Sequence, residues 1–238
     1  MQIEIWSDIM CPFCYIGKHH FEDALQEVSF REELQITYRS YQLNPEYHYF
    51  SGDTVYDLLS RSKGMSVAEA KGMTKQVVDM AAKAGLTINF DTNQPANTRK
   101  AHELIHFAAK FGKASLVKEK LFEAHFVLGL QIEDLSVLKQ IAKDASLDSE
   151  LLETALVQGT ETYAFNQDIQ EAKNIGIRGV PFFLFDRKYA LSGAQPTQNF
   201  VEVLSNAHSE WKASNQPIQI IPAGNSENTC SDDGCQLN

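Results

Sequence analysis

No stretch of this 238-residue chain approaches the roughly 20 consecutive apolar residues a membrane-spanning helix requires. The longest apolar run, near Val180 to Phe185, is only strand-sized. The N-terminus, MQIEIWSDIMCP, has no basic region, and Glu4 and Asp8 break up its hydrophobic residues. No secretory signal is expected from it, and the sequence reads as that of a cytoplasmic protein. Basic charge is scarce: 21 lysines and arginines stand against 31 aspartates and glutamates, a formal net charge of -10. Such a surface repels phosphate backbones and anionic lipids, so neither nucleic acid nor a membrane is expected as a partner. Internal repeats and low-complexity tracts are also missing.

Cysteine is sparse too, but its placement is informative. The four residues form two close pairs, C-x-x-C at Cys11 and Cys14 and C-x-x-x-x-C at Cys230 and Cys235. In a reducing compartment such pairs are read as reactive thiols or metal ligands before permanent disulfides.

Residues 2 to 7 alternate as a half-buried strand, with Ile3 and Ile5 on one face and Gln2, Glu4 and Trp6 on the other. Pro12 suits the first position of a following helix, in which Ile16, Phe21, Ala24, Leu25 and Val28 recur at helical spacing. Cys11 is then its N-cap. Residues 34 to 41 alternate again and close a β-α-β unit. From about 53 to 175 the pattern is helical, with a capping box at Ser66 and Glu69 and amphipathic segments over 98 to 111, 115 to 128, 134 to 145, 149 to 158 and 160 to 174. A hairpin over 177 to 191 and a helix from about Thr197 to Lys212 complete the pattern. The order predicts one α/β layer interrupted by helices.

A cysteine at a helix N-terminus meets unpaired backbone N–H groups and the positive end of the helix dipole, which favour its thiolate. Cys14, one helical turn on, can then close a disulfide with Cys11 and release what the first thiol has captured. The same spacing suits half of a zinc knuckle. A knuckle needs a second pair, and the only other cysteines lie more than 200 residues away.

Strand, then D-x-x-C-P-F-C-Y-I-G, then helix resembles the DsbA-like thioredoxin-fold oxidoreductases, and specifically their FrnE-like subgroup. YRSYQLNP at 38 to 45, NTRKAHELIH at 97 to 106 and GIRGVPFFLFD at 176 to 186 are similar to further segments of that group. The resemblance spans roughly residues 1 to 212. It implies a discontinuous thioredoxin-like domain over 1–50 and 176–213 and an all-helical insertion over 51–175. Beyond Ala213 the sequence loses periodicity and gains Pro, Gly, Asn and Ser, so a flexible C-terminal tail is expected over 214–238. The resemblance also implies a cis Pro181 packed on the cysteine pair and a Val180 backbone that pairs with an extended substrate segment. Cys11 becomes the expected nucleophile and Cys14 the resolving thiol, with Pro12, Phe13, Val180 and Pro181 contacting the substrate.

The expected activity is thiol–disulfide exchange or disulfide isomerisation on protein or small-molecule disulfides and dithiols, with a cellular thiol reductant as partner. It requires no cofactor, although glutathione is a candidate redox partner. Phe13 replaces the histidine of the best-known DsbA proteins and supplies no positive charge, which implies a less oxidising protein. The kappa-class glutathione transferases and the 2-hydroxychromene-2-carboxylate isomerases share the fold. They carry serine in place of Cys11 and use it to activate glutathione, so a glutathione-dependent isomerase or transferase is the alternative.

Two further features invite other readings. Residues 102 to 106 match H-E-x-x-H, so His102 and His106 could hold zinc while Glu103 activates a water, as in a metalloprotease. A third ligand is not evident: the extended pattern has Ala109 and Gly112 where glycine and histidine are needed, leaving Glu119 or Glu123. An amphipathic helix with Leu104, Ile105, Ala108 and Phe111 packed inward and both histidines at its boundary is therefore expected, with no metal. Cys230 and Cys235 bracket a turn-forming SDDG and form a candidate secondary redox pair that relays electrons to the first.

Overall fold

A computed structural model describes residues 1–48 and 52–215. Strand β1 (Gln2–Ser7) leads into helix α1 (Pro12–Glu27), and β2 (Gln35–Ser40) returns parallel to β1. Seven helices follow: α2 (Val55–Lys63), α3 (Val67–Lys83), α4 (Arg99–Ala109), α5 (Ala114–Phe122), α6 (Leu135–Asp144), α7 (Ser149–Gln158) and α8 (Thr162–Ile175). The chain then returns to the sheet as an antiparallel hairpin, β3 (Phe182–Phe185) and β4 (Tyr189–Ser192), before α9 (Thr197–Ser214). The sheet order is β2-β1-β3-β4, with β3 antiparallel to β1. This is the expected α/β fold, a thioredoxin-like sheet carrying a large helical insertion. No helix among the described residues is long and apolar enough to cross a membrane.

Local chemistry accounts for the helix boundaries. Ser66 and Glu69 form the expected capping box at α3, and Thr54 and Asp57 form a second one at α2, a helix the sequence reading did not separate. Helix α5 does not continue regularly to residue 128; it widens into a π-helical turn over Glu123–Val127.

One expectation about β1 needs correction. The strand is buried on both faces, not half-buried. Ile3 and Ile5 sit opposite Phe185 and Phe183 and pack with Phe21, Leu25, Phe200 and Leu204 of α1 and α9. Trp6, on the other face, packs with Ala172 of α8, Ile177 and Leu184. Glu4 is buried on that second face, where Arg39 and Arg187 reach it at 2.6 and 2.8 Å. The helical insertion folds back over the sheet and covers the face that alternation assigned to water.

Helix α1 is locked to α5 by charge. The buried ammonium of Lys18 lies 2.5 Å from Glu119 and 2.8 Å from Glu22, while Tyr15 and His19 contact the other Glu119 oxygen at 3.0 and 3.2 Å. Burial would raise the Glu119 carboxyl, but the His19 hydrogen bond and the Lys18 charge outweigh it and hold the group at about 2. A carboxyl depressed in the folded state stabilises the fold above its unfolded value of 4.5, and that contribution fades as pH falls toward about 2. In urea titrations between pH 7 and 2, Glu119→Gln should therefore be less stable than the parent at neutral pH and lose less stability on acidification. Parallel acid limbs for the two proteins would contradict the assignment.

Candidate active site

The turn from β1 into α1 is built around Asp8. Its carbonyl accepts from the Cys11 N–H at 3.1 Å, and its own N–H donates to Cys14 Sγ at 3.5 Å. Cys11 occupies the N-cap with an extended backbone, φ -93° and ψ 110°, and Pro12 opens the helix. The Cys11 carbonyl accepts from Cys14 N at 2.9 Å, so the backbone starts the helix and the side chain takes no part in capping. The Cys11 thiol is left to donate to the carbonyl of Val180 at 3.6 Å. Both cysteines are free thiols and both are buried, whereas Phe13 between them is 38% exposed.

The Val180–Pro181 bond is cis, and the Pro181 ring lies against α1. A Cβ on Gly17 would come within 3.0 Å of Pro181 Cγ and 3.4 Å of the Ala194 backbone. Glycine at position 17 is what lets the helix and the proline loop approach this closely.

Beneath the pair lies a buried polar layer. Burial pushes the Cys14 thiol well up, and the hydrogen bond and charge of Cys11 push the same way. The Asp8 N–H and the Lys118 ammonium oppose them. Lys118, on α5, is fully enclosed with its Nζ 5.1 Å from the Tyr38 ring centroid. Burial brings it down to about 8, against the pull of the charges on Cys14 and Asp8. The Asp8 carboxylate accepts from Leu43 N at 2.7 Å and faces His102 Nε2 at 3.4 Å. Burial alone would raise Asp8, but His102, the Leu43 N–H and Thr98 together hold it down.

A two-thiol helix start packed on a cis-proline loop that leads into an antiparallel strand is an arrangement suited to disulfide exchange. The family model of the DsbA-like thioredoxin domain matches residues 2–205. The chain belongs to the DsbA-like thioredoxin-domain family. A solved probable DsbA oxidoreductase from Streptomyces coelicolor is 31% identical, with a TM-score of 0.81 over 100% of this chain and 99% of that one. A 2-hydroxychromene-2-carboxylate isomerase shares the fold at 14% identity and a TM-score of 0.66, over 90% and 98% of the two chains. The cytosolic disulfide reductase DsbM of Pseudomonas aeruginosa, solved also with GSH, shares it at 15% identity and a TM-score of 0.57, over 90% and 98%.

In this DsbA-like protein the residues expected from sequence fall into three groups. Cys11, Cys14, Pro12, Phe13, Val180 and Pro181 come together at one end of the sheet. His102, Glu103 and His106 do not converge: His102 faces Asp8, Glu103 accepts from Arg99 at 3.3 Å and Thr162 at 3.0 Å, and His106 meets Asp168 at 3.1 Å and Ser40 at 3.0 Å. His102 is fully buried and not at the helix boundary, and Phe111, expected inside, is 51% exposed beyond the end of α4. Cys230 and Cys235 lie outside the described residues. Among those that are described, His19, Glu22 and Glu119 form the one grouping of potential metal ligands, and the Lys18 ammonium already bridges its carboxylates.

Sequence reasoning assigned no role to Asp8, Gly17 or Lys118. Asp8 and Gly17 stood inside the quoted motif; Lys118 carried no signal, since nothing in a helical pattern distinguishes a lysine that faces inward. Filling the space over Gly17 should disturb the proline loop: Gly17→Val is expected to lower stability by about 1–3 kcal/mol through overpacking. A urea midpoint equal to the parent's would show that the α1–Pro181 contact yields freely.

Proposed function

We propose that this protein is a cytoplasmic thiol–disulfide oxidoreductase of the FrnE-like type, working as a reductase or isomerase through Cys11 and Cys14. The observation that carries the reading is the division between the two thiols. One lies at the helix start against Val180, next to an exposed phenylalanine, and the other is buried a turn deeper with its proton held tightly.

In the proposed reaction the Cys11 thiolate attacks one sulfur of a substrate disulfide, forming a mixed disulfide and releasing the other sulfur as a thiolate. Cys14 then gives up its proton and attacks the Cys11 sulfur. This forms the Cys11–Cys14 disulfide and expels the second substrate thiolate. The substrate gains two electrons and the protein dithiol loses them. The Val180 backbone and cis Pro181 present the substrate by strand pairing, with Pro12 and Phe13 flanking it. A cellular thiol such as glutathione restores the dithiol by the reverse steps.

With no positive charge at Phe13, reduction is the favoured direction in a reducing cytosol. The exchange unit comprises residues 1–50 and 176–213, with 51–175 as its helical insertion, and Cys230 with Cys235 is a candidate secondary redox pair. Presence of cysteine at position 11, where a glutathione-activating relative would have serine, is the reason for preferring exchange over isomerase or transferase chemistry.

The direct test is trapping. Cys14→Ser should accumulate a mixed disulfide between Cys11 and a model disulfide such as insulin, visible on non-reducing gels, while Cys11→Ser traps nothing and has no reductase activity. Trapping through Cys14 in the Cys11→Ser protein would reverse the roles. Lys118→Met, which removes a charge that favours the Cys14 thiolate, should lengthen the mixed-disulfide lifetime most at low pH. A lifetime unchanged from pH 6 to 9 would remove Lys118 from the proposal.

A further inference from the structure

Met10 and Pro12, the two neighbours of Cys11, also form part of the wall of a small cavity of about 110 Å³. Leu58 of α2, Phe90, Asn93 and His125 complete the part of the lining that matters here. An apolar core cavity of about 150 Å³ engineered in another protein stays dry and binds benzene, so this space suits a small ring that protrudes slightly. Its position beside the reactive pair puts such a ring within reach of whatever Cys11 engages.

The cavity is largely apolar, but two polar atoms of its lining residues lack a hydrogen-bond partner among the described residues: Asn93 Oδ1 and His125 Nδ1. Asn93 is 4% exposed and His125 2%, so each has lost bulk water. The Asn93 amide is fixed in orientation, because its Nδ2 donates to the His125 carbonyl at 2.9 Å, and its oxygen remains an acceptor. His125 lies within the π-helical turn Glu123–Val127, an irregularity that recurs at functional sites. Its ring stands edge-on to Phe126 at 4.6 Å between centroids. Burial pushes the imidazole down to about 4, against the opposing charge of Asp8, so at neutral pH the ring is uncharged and offers one N–H and one lone pair.

These features select among ligands. A carboxylate would face the Asn93 oxygen without a cation to replace its water, and a plain hydrocarbon would leave both buried polar atoms unpaired. An uncharged ring ending in a hydroxyl fits the apolar lining and carries the hydrogen-bonding group that the unpartnered Asn93 and His125 atoms lack. We propose that this cavity is a binding slot for a phenol, hydrogen-bonded to Asn93 and His125. The ring would be that of a tyrosine beside the disulfide of a peptide substrate, or that of a small phenolic compound. The peptide source rests on the exchange reading above; the binding itself does not.

The test uses the full-length reduced protein. Titration with p-cresol, toluene and 4-methylanisole, followed by calorimetry in every variant and by the His125 imidazole resonances where that residue is present, should show p-cresol binding about tenfold or more tighter than the other two. The preference should fall to about unity in Asn93→Leu and in His125→Phe; 4-methylanisole, which lacks the donor hydrogen, tests the same point on unaltered protein. In parallel, kcat/KM is measured for matched disulfide peptides with Tyr or Phe next to cysteine. A p-cresol preference together with a Tyr preference supports a peptide tyrosine as the ligand, and a p-cresol preference alone supports a small phenol. Equal binding of p-cresol and toluene, or binding of neither, overturns the slot even if both peptides turn over. A p-cresol preference with neither peptide turned over keeps the slot and overturns the exchange reading.

Discussion

Asp8 is the residue on which the site's architecture depends. Its backbone sets the helix start, with the carbonyl held by Cys11 N and the N–H directed at Cys14 Sγ. Its carboxylate draws in Leu43 from the segment after β2 and His102 from α4. One fully buried side chain thus joins the strand, the reactive turn, a returning loop and the helical insertion. A carboxylate so deeply buried is tolerated only because donors surround it, which makes the joint specific as well as tight.

The same logic recurs one layer further along the sheet. Asp168 of α8 accepts from Arg39 at 2.9 Å and from Ser40 N at 2.8 Å, and Arg39 also holds Glu4. Acid groups on the covered face of the sheet meet arginines that keep part of their surface in water, so neither sign is stranded. The insertion is consequently clamped to the sheet at two polar joints, around Asp8 and around Asp168, with the apolar contact of Trp6, Ala172 and Leu184 alongside. Relative motion between insertion and sheet would have to break buried hydrogen bonds as well as apolar packing, and the reactive turn inherits that rigidity.

Much of this was legible in the sequence, for physical reasons that can be named. Pro12 after Cys11 marks a helix start because only there does a missing N–H cost nothing, and Ser66 with Glu69 marks another through reciprocal capping. What stayed hidden depends on contacts distant in sequence. Alternation in β1 told which residues share a face but not that α8 would cover the second one. The H-E-x-x-H spacing placed two histidines one turn apart, yet their partners, Asp8 and Asp168, lie 94 residues before His102 and well beyond His106. Lys118 reads as an ordinary surface lysine until α5 is packed so that its ammonium lies over the Tyr38 ring.

Burying Cys14 solves one problem of the proposed exchange and creates another. A thiol held in its protonated form by its surroundings does not compete with Cys11 for incoming disulfides, which orders capture before resolution. It must nevertheless lose that proton once the mixed disulfide has formed. The burial that raises Cys14 also lowers Lys118 to about 8, and the two groups interact electrostatically inside the same enclosed layer. A charged lysine in that layer stabilises the Cys14 thiolate once it forms. The enclosed layer thereby makes Cys14 reluctant to ionise while holding in the same layer a cation that favours the ionised form.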